Sequence, residues 1–441
     1  MNRQSSDYST FGAEKVWKIL LRLAPPVMFA QLIQALYNIV DSYFVGKYSS
    51  AGLTALSVIF PLQLIITALA VGTGVGVNTL MAKLFAQQKE KEANEAAGTG
   101  MVLSFFTWLL FAVISVSIMR FYVATSAKST DAIQYGVIYG TIVCAGSLGT
   151  FLEGIWTKVL QAEGNMMRPM VAQVAGALTN IVLDPILIFG LFGLPSLGVA
   201  GAAIATVCGQ VAAAVITGYR GFRRPPALHR IPVLAKQIYQ LGYPSILMQS
   251  LYTVYIVALN IILAGFSDDA VTVLGLYYKM QTFFFIPLFG LETCMVPVLS
   301  YNFASGKYKR CETIMKDAVL FSFVFMLLAV FCFEVIPGPL LGIFSSKAEV
   351  FDIGIPAFRI IGLSFLPAVL SLLSPVFFQA IGQSAASAVL SIVRQIICLA
   401  PIFWALSLLG LSWTWYAFPI SEIISGGLGV ALYIRQIHMW K

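Results

Sequence analysis

Residues 52–82, GLTALSVIFPLQLIITALAVGTGVGVNTLMA, form a stretch that contains no charged side chain. A helix needs about 20 mostly apolar residues to cross the hydrocarbon core of a bilayer, so this stretch is long enough to cross it. Of the 441 residues in the chain, 59% are hydrophobic and only 10% are charged. Soluble domains carry roughly 25% charged residues. The sequence therefore predicts an all-α integral membrane protein.

Similar apolar stretches recur along the whole chain, separated by charged or Gly/Pro-rich breaks. Reading for stretches of this length predicts twelve membrane spans, at residues 17–45, 52–82, 97–121, 133–153, 168–190, 199–221, 233–264, 271–302, 314–336, 351–378, 386–409 and 413–434. Several of these spans are longer than a perpendicular crossing requires, which favours tilted helices or helices that extend into water.

The lysines and arginines indicate the orientation of the spans. Twenty of them fall in segments that are cytoplasmic if the N-terminus is inside, and four lie in the opposite loops, namely Lys47, Arg120, Lys128 and Lys347. Basic residues are retained on the cytoplasmic side of membrane proteins. We therefore expect both termini to be cytoplasmic.

Composition also argues against several classes of protein. The chain has two histidines, and its six cysteines include no C-x-x-C pair, so no zinc or haem site and no cofactor is predicted. The glycine cluster Gly72-Thr-Gly-Val-Gly76 lacks the Gly-Lys-Ser/Thr ending of a phosphate-binding loop. The basic residues lie at the edges of apolar segments, so membrane topology explains the net charge of +8 better than nucleic-acid binding does.

The second half of the chain repeats motifs of the first. Leu23-Ala-Pro-Pro26 with Gln31 corresponds to Leu241-Gly-Tyr-Pro244 with Gln249, and Gln161-Ala-Glu-Gly164 corresponds to Gln379-Ala-Ile-Gly382. In both matches the corresponding residues are separated by the same number of positions, the number from Pro26 to Pro244. We call this number of positions the repeat spacing. These matches predict an N-terminal six-helix bundle over 1–224, a cytoplasmic linker over 225–232 and a C-terminal six-helix bundle over 233–441. Two bundles of the same orientation are expected to be pseudo-symmetric and to surround a central cleft, as in transporters.

Carboxylates inside predicted spans are the first candidates for function, because burying a charge in the bilayer is costly. Asp41 lies late in the first span, and Asp184 lies in the fifth span, one helical turn after Asn180. Together with Thr206 these residues could provide oxygen ligands for Na⁺, or one carboxylate could hold an exchanged proton. The alternative interpretation is an interhelical hydrogen-bonded pair that only holds the bundle together.

A second set of residues is predicted to bind a substrate. Glu292 is a charge acquired by the second half, and we expect it either to contact a substrate cation or to pair with Arg394 or Arg359. Adaptable methionines and cation-binding aromatic rings suit varied substrates. The candidates of this kind are Tyr37, Met248, Tyr277, Met280 and Phe283, with Phe60 beside them. Glu153 and Glu163 are assigned to the inner side of the membrane, as gate or surface charges.

The chain resembles the multidrug and toxic compound extrusion (MATE) family along its whole length. The motifs that carry the resemblance are Ala24-Pro-Pro26, Asn38-Ile-Val-Asp41-Ser-Tyr-Phe-Val-Gly46, Gln161-Ala-Glu-Gly-Asn165, Asn180-Ile-Val-Leu-Asp-Pro185 and Gly198-Val-Ala-Gly-Ala-Ala-Ile-Ala-Thr206. Acidic residues in the N-terminal half make it similar to the DinF branch. The resemblance implies a multi-pass protein of the bacterial plasma membrane that exports cationic and amphipathic drugs in exchange for H⁺ or Na⁺. It also places the cation site on Asp41 and Asp184 and makes Pro26 a hinge.

Two other functions compete with drug export. A flippase for lipid-linked sugars shares the two-bundle plan and predicts a cationic cleft, for which Lys279, Arg359 and Arg394 are available. A membrane-embedded enzyme is disfavoured because catalytic groups do not cluster in the sequence. A cleft completed within one chain needs no partner, so we expect a monomer.

Overall fold

The computed structural model describes residues 7–126, 129–344 and 347–440, and within these ranges every regular element is helical. The α-helices are α1 (Val16–Tyr48), α2 (Ser50–Ala86), α3 (Glu90–Ser126), α4 (Thr130–Gly146), α5 (Leu148–Ala162), α6 (Met167–Phe189), α7 (Val199–Gly221), α8 (Ile231–Ala264), α9 (Asp268–Phe284), α10 (Ile286–Ala304), α11 (Tyr308–Val335), α12 (Pro337–Gly342), α13 (Ala348–Gly362), α14 (Phe365–Ala380), α15 (Ser384–Ile392), α16 (Ala400–Ser407), α17 (Leu411–Thr414) and α18 (Ala417–Trp440). A π-helical turn, Val393–Leu399, joins α15 to α16. The predicted all-α class is confirmed.

The predicted number of spans is also confirmed. In the described ranges, nine helical segments are long and apolar enough to cross a membrane, and three bent helix pairs bring the total to twelve. The bent pairs are α4 with α5, α9 with α10, and α13 with α14, bent by 40°, 53° and 54°. Lys128, counted among the outer basic residues, lies outside the described residues, as do Arg3 and Lys441.

Two of the bends contain the same local hydrogen bond. At the α4–α5 junction the Ser147 hydroxyl donates to the Cys144 carbonyl at 2.8 Å, and at the α13–α14 junction the Ser364 hydroxyl donates to the Ile361 carbonyl at 2.6 Å. A serine that bonds back to its own helix offers the backbone an alternative to the helical ladder and favours bending.

The chain divides into two compact units. Unit 1 comprises the described residues up to Ser9 together with Pro25–Ile246, and unit 2 comprises Thr10–Ala24 together with Leu247–Lys441. Two of the three divisions fall inside a continuous helix close to a proline, Pro25 in α1 and Pro244 in α8. The predicted bundles, 1–224 and 233–441, describe the sequence repeat, whereas compact unit 2 includes Val16–Ala24 of α1 and compact unit 1 includes Ile231–Ile246 of α8.

The repeat is also visible in the backbone conformation of the turns that follow corresponding helices. Gln88 and Gly306 are separated by the repeat spacing and follow α2 and α10 with φ of +60° and +71°. Gly164 and Gly382, with the same separation, follow α5 and α14 with φ of +86° and +87°. Left-handed residues of this kind terminate helices by turning the chain sharply. The spacing read from the motifs is therefore also the spacing of the backbone turns.

Candidate functional site

Close packing of α6 against α7 positions the polar residues of unit 1. A Cβ atom on Gly176 would lie 2.8 Å from the Gly209 carbonyl oxygen, and one on Gly209 would lie 2.6 Å from the Gly176 carbonyl oxygen. Only glycine permits this approach of two helix backbones. As a result, Asn180 on α6 comes next to Thr206 on α7.

Asn180 connects α6 to α7 through both atoms of its amide. With the amide oriented to satisfy both partners, its nitrogen donates to Asp184 Oδ2 at 3.0 Å and its oxygen accepts from the Thr206 backbone N–H at 3.0 Å. Asn180, Asp184 and Thr206 are all at most 2% exposed. The orientation of the Asp184 carboxylate is thereby fixed in a shielded position.

Asp41, on α1, lies next to the Asp184 carboxyl group. Its side chain is 7% exposed, and its carboxyl group lies within hydrogen-bonding reach of the Asp184 carboxyl group when one of the two carries a proton. The Asp41 Oδ1 atom is shielded and has no donor in the described part of the chain. Within the same part, no salt bridge joins either aspartate to a lysine or arginine. We call Asp41, Asn180, Asp184 and Thr206 the acid pair site.

Hydroxyl groups surround the acid pair site. The Tyr37 hydroxyl lies within hydrogen-bonding reach of the Thr206 side chain, and Tyr139, which is 1% exposed, lies within reach of the same threonine. Gln63 on α2 donates to the Tyr139 hydroxyl at 3.4 Å. A hydrogen-bonded network therefore extends from the two carboxyl groups towards α2.

A cavity of about 450 Å³ opens beside this network inside unit 1. Its wall is amphipathic: aromatic and aliphatic side chains alternate with polar ones. The polar lining residues are Gln34, Tyr37, Asn38, Gln63, Thr67, Thr150, Glu153, Gln173, Asn180, Thr206 and Gln210, and the apolar ones include Phe60, Leu64, Ile66, Val71 and Val143. A pocket of this volume can hold a small molecule, and its wall offers both apolar surface and many hydrogen-bonding groups.

The structure thus gathers all four residues predicted to couple to a cation, and their coupling role stays a prediction. Pro26 lies in α1, which the structure shows as one unbroken helix from Val16 to Tyr48. Its hinge role also stays a prediction. Of the residues predicted to bind substrate, Tyr37 and Phe60 line the cavity of unit 1.

The other predicted substrate residues belong to unit 2. Tyr277 and Met280 are 2% and 6% exposed, and the Tyr277 ring packs against Phe418 with centroids 5.2 Å apart. Met248 and Phe283 are half-buried. Glu292 is 9% exposed, and its Oε1 atom has no hydrogen-bond partner among the described residues.

One interpretation of Glu292 was an ion pair with Arg394. The structure instead pairs Arg394 with Glu422. Arg394 Nη2 donates to Glu422 Oε1 at 2.6 Å, its Nε donates to both carboxylate oxygens at 3.0 Å, and the Ser371 hydroxyl donates to the same carboxylate. The other two cations considered for a flippase also have partners. Arg359 donates to the Glu334 carbonyl oxygen at 3.2 Å, and Lys279 lies 5.3 Å from the Phe344 ring.

Glu153 was assigned to the inner side of the membrane as a gate or surface charge. The structure places it in the cavity wall, and its assignment to the inner side stays a prediction. Its carboxylate lines the cavity and accepts a hydrogen bond from the Thr157 hydroxyl at 2.7 Å. Glu163 does lie at the end of α5, where it pairs with Arg223.

A signal for the cavity was present in α1, where Gln34, Tyr37, Asn38 and Asp41 recur at helical spacing. That stripe of polar residues marks one face of the helix. Three of its members, Gln34, Tyr37 and Asn38, line the cavity, and the fourth belongs to the acid pair site.

Twelve spans, a backbone repeat and a polar, acid-containing cavity within one repeat together define a membrane transporter, not an enzyme. The family model MatE matches residues 26–186 and again residues 244–404, so the chain belongs to the MatE family. The two matched segments start at the repeat spacing, which confirms the duplication. Membership of the DinF branch stays a prediction.

Several known proteins are similar over nearly the full length. The chain is 23% identical to the multidrug export protein MepA of Staphylococcus haemolyticus, over 95% of this chain and 94% of that protein. It is 22% identical to the FAD transporter of Shewanella oneidensis, with the same coverage. A solved MOP superfamily transporter from Pyrococcus furiosus, described as having a binding pocket of reverse polarity, matches with a TM-score of 0.91 at 23% identity, over 100% of this chain and 99% of that one.

Proposed function

We propose that the protein is a secondary active antiporter that exports small amphipathic cations in exchange for protons. Members of its family include multidrug export proteins, and the cavity of unit 1 combines carboxylates and amides with aromatic and aliphatic walls. Such a wall suits molecules that carry both a positive charge and an apolar body.

The observation that carries the proposal is the contact between Asp41 and Asp184. Two carboxyl groups that share a buried site cannot both be ionised without a large electrostatic cost. With no lysine or arginine paired to them in the described ranges, a mobile cation has to neutralise them. A proton shared between the two carboxyl groups matches their mutual hydrogen-bonding reach. Sodium held by Asp41, Asn180, Asp184 and Thr206 is the competing ion and is an outcome of the experiment below.

The driving force for such exchange is adequate. Exchange of one proton for one monovalent cation moves no net charge and draws on the pH difference, and each additional proton gains about 2.3 kcal/mol per 100 mV of membrane potential. A proton that enters from outside, neutralises the acid pair and favours release of the drug would couple this energy to export by alternating access. In this proposal the protein lies in the plasma membrane of a bacterium with both termini in the cytoplasm, as the distribution of basic residues predicts.

A flippase for lipid-linked sugars is supported less well. It requires cationic groups to hold a pyrophosphate, but the buried Arg394 is already neutralised by Glu422. The cavity of unit 1 instead offers a carboxylate to its ligand.

The proposal is tested by uptake of a fluorescent cation, ethidium, into proteoliposomes with a pH gradient or a Na⁺ gradient imposed separately. We expect the pH gradient alone to drive transport by the wild type. Asp41→Asn should abolish this transport while the protein stays folded, whereas Asp131→Asn, an exposed acid of the same unit, should leave it unchanged.

Transport driven only by the Na⁺ gradient would replace the proton by sodium in the proposal. Full transport by Asp41→Asn would contradict the role of the acid pair. Absence of ethidium transport under either gradient in the wild type would contradict cation export.

A further inference from the structure

The short segment that precedes α1 is held by three polar side chains of unit 2. Asn302 Nδ2 and Arg310 Nη2 donate to the Phe11 carbonyl oxygen at 2.9 and 2.8 Å. Lys307 Nζ donates to the Gly12 carbonyl oxygen at 2.9 Å. The acceptors are backbone atoms, so these bonds fix the path of the chain itself. We call Phe11, Gly12, Asn302, Lys307 and Arg310 the α1 anchor.

Arg310 connects most of the α1 anchor. Besides its bond to Phe11, its Nη2 atom donates to the Glu14 carbonyl oxygen, and its Nε atom donates to Asn302 Oδ1 at 3.0 Å. Phe11 and Asn302 are both fully buried. Hydrogen bonds from a charged donor are stronger than neutral ones, and a buried acceptor that loses its donor is costly. The anchor therefore depends chiefly on the Arg310 guanidinium.

The helix that follows the anchor belongs to both compact units. Its residues up to Ala24 belong to unit 2, whereas Pro25–Tyr48, which include Asp41, belong to unit 1. Pro25 and Pro26 lack the backbone N–H that a helix interior requires, so α1 has fewer internal hydrogen bonds at the boundary. The anchor lies directly before the part of α1 that belongs to unit 2, and it attaches that part to unit 2.

The second repeat has a corresponding attachment of opposite polarity. Gly12 and Arg230 are separated by the repeat spacing, and each precedes a helix that is divided between the units, α1 or α8. Arg230 pairs with Glu95 of unit 1 at 2.8 Å, and Arg223 donates to Asn94 Oδ1 at 2.6 Å. Here the cations lie on the segment before the helix, whereas in unit 2 they lie on the bundle. Attachment of the start of each divided helix thus recurs with different chemistry.

From these attachments we infer that Arg310 is a positioning residue for transport, which fixes the start of α1 to unit 2 so that a change in α1 at Asp41 is transmitted to unit 2. The inference rests on the proposed function, in which a cation at the acid pair site drives export. Without the anchor, the acid pair still binds its proton and the cavity still binds the drug, but the two events are no longer linked through α1. Loss of the anchor should therefore slow transport without weakening binding.

The inference is tested with Arg310→Met in the full-length protein. Hydrogen–deuterium exchange shows whether residues 8–14 are released, with residues 222–230 as the internal reference. Equilibrium binding of tetraphenylphosphonium and pH-driven ethidium transport in proteoliposomes are then measured on the same preparation. We expect faster exchange in residues 8–14, a Kd within twofold of the wild type and transport slowed at least fivefold. Lys309→Met, which removes an exposed charge one position earlier on α11, should change none of the three.

A second variant releases the segment without altering the bundle of unit 2. A Cβ atom on Gly12 would lie 2.9 Å from Lys307 Nζ and 2.9 Å from a ring carbon of Tyr301, so Gly12→Val should displace the segment and slow transport in the same way. Arg310→Lys keeps the charge and should transport faster than Arg310→Met. Transport at the wild-type rate by a variant whose residues 8–14 exchange faster overturns the inference. Unchanged exchange of residues 8–14 in both Arg310→Met and Gly12→Val also overturns it.

The same measurements separate this inference from the proposed function. If the wild type transports ethidium and the released variants transport it equally well, only the role of Arg310 is contradicted. If the wild type does not transport ethidium under either gradient, the proposed function is contradicted and this inference with it. Slower transport by Arg310→Met under a Na⁺ gradient alone would support the role of the anchor and change only the coupling ion.

Discussion

Unit 1 and unit 2 use corresponding positions in opposite ways. In unit 1, Gly176 and Glu153 border a cavity of about 450 Å³, and Asp41 and Asp184 have no basic partner among the described residues. In unit 2, the position of Gly176 belongs to Arg394, whose charge is neutralised within the chain. The same backbone plan thus yields one half whose two buried aspartates have no basic partner among the described residues and one half whose buried arginine is paired with a glutamate.

The two units also differ in the aromatic side chains at corresponding positions. Tyr252, Tyr255 and Tyr278 form a cluster with ring centroids 5.4–6.4 Å apart. At the repeat spacing they correspond to Gln34, Tyr37 and Phe60, three residues that line the cavity of unit 1. Two of the three positions are aromatic in both halves, and the third, Gln34 in unit 1, is Tyr252 in unit 2.

The largest effect is expected from removing a charge of the acid pair. Asp184→Asn leaves Asn180 and Thr206 in place but removes the group that shares the proton with Asp41. Proton-driven drug transport should fall to the level of protein-free vesicles. Glu422→Gln in unit 2 is the control variant, because Glu422 is already neutralised by Arg394. Any transport that this variant retains should still be driven by protons.

Breaking the internal ion pair should destabilise the fold. Arg394→Met leaves the Glu422 carboxylate, 8% exposed, without its partner. Such an uncompensated buried charge costs about 3–5 kcal/mol, and the double variant Arg394→Met/Glu422→Leu should recover most of the loss. Thermal unfolding in detergent measures both changes.

An exposed pair provides the control for that measurement. Arg22 and Glu14 form a salt bridge at 3.0 Å with both side chains substantially exposed. Exposed pairs contribute about 0–1 kcal/mol, so Arg22→Met should change the unfolding temperature much less. Equal destabilisation by Arg22→Met and Arg394→Met would contradict the special role of the buried pair.

Filling the cavity should block cation binding. Thr67 lines the cavity, and Thr67→Trp places a large ring at its wall. The affinity for tetraphenylphosphonium should fall at least tenfold, measured by equilibrium binding to the purified protein. Ile65→Trp, on the same helix but outside the cavity wall, is the matched control and should bind normally. Retained affinity in Thr67→Trp would show that the cations bind elsewhere.

The smallest effect concerns the helix-ending turns. Gln88 adopts φ of +60° where the second repeat has glycine, Gly306, at +71°. A left-handed non-glycine residue costs roughly 1–2 kcal/mol, partly offset by the greater unfolded-state entropy of glycine. Gln88→Gly should therefore stabilise the protein by about 0.5–1 kcal/mol, whereas Gly306→Gln should destabilise it. Destabilisation by Gln88→Gly, or stabilisation by Gly306→Gln, would show that the two turns are not equivalent.

The sequence predicted the fold and the acid pair because each rests on a local signal. Long uncharged stretches such as 52–82 predict spans by length alone, and Asp41 and Asp184 are conspicuous within such stretches. The repeat spacing followed from short motifs around Pro26 and Gly164. None of these signals requires knowledge of which helices touch.

Features that depend on long-range packing could not be predicted in the same way. The position of Glu153 in the cavity wall depends on which face of α5 meets the cavity, and α5 begins after a bend of 40° at Ser147. The pairing of Arg394 with Glu422 depends on the contact of two helices distant in sequence. The assignment of the N-terminal part of α1 to unit 2 and of the N-terminal part of α8 to unit 1 follows from tertiary contacts alone.

The most direct measurement follows proton movement driven by a drug gradient. Proteoliposomes that contain a pH-sensitive dye receive a tetraphenylphosphonium gradient, with the wild type compared with the double variant Asp41→Asn/Asp184→Asn. We predict counter-movement of protons with the wild type and none with the double variant, which should still bind the probe. Proton movement by the double variant equal to that of the wild type would contradict the assignment of proton coupling to these two aspartates.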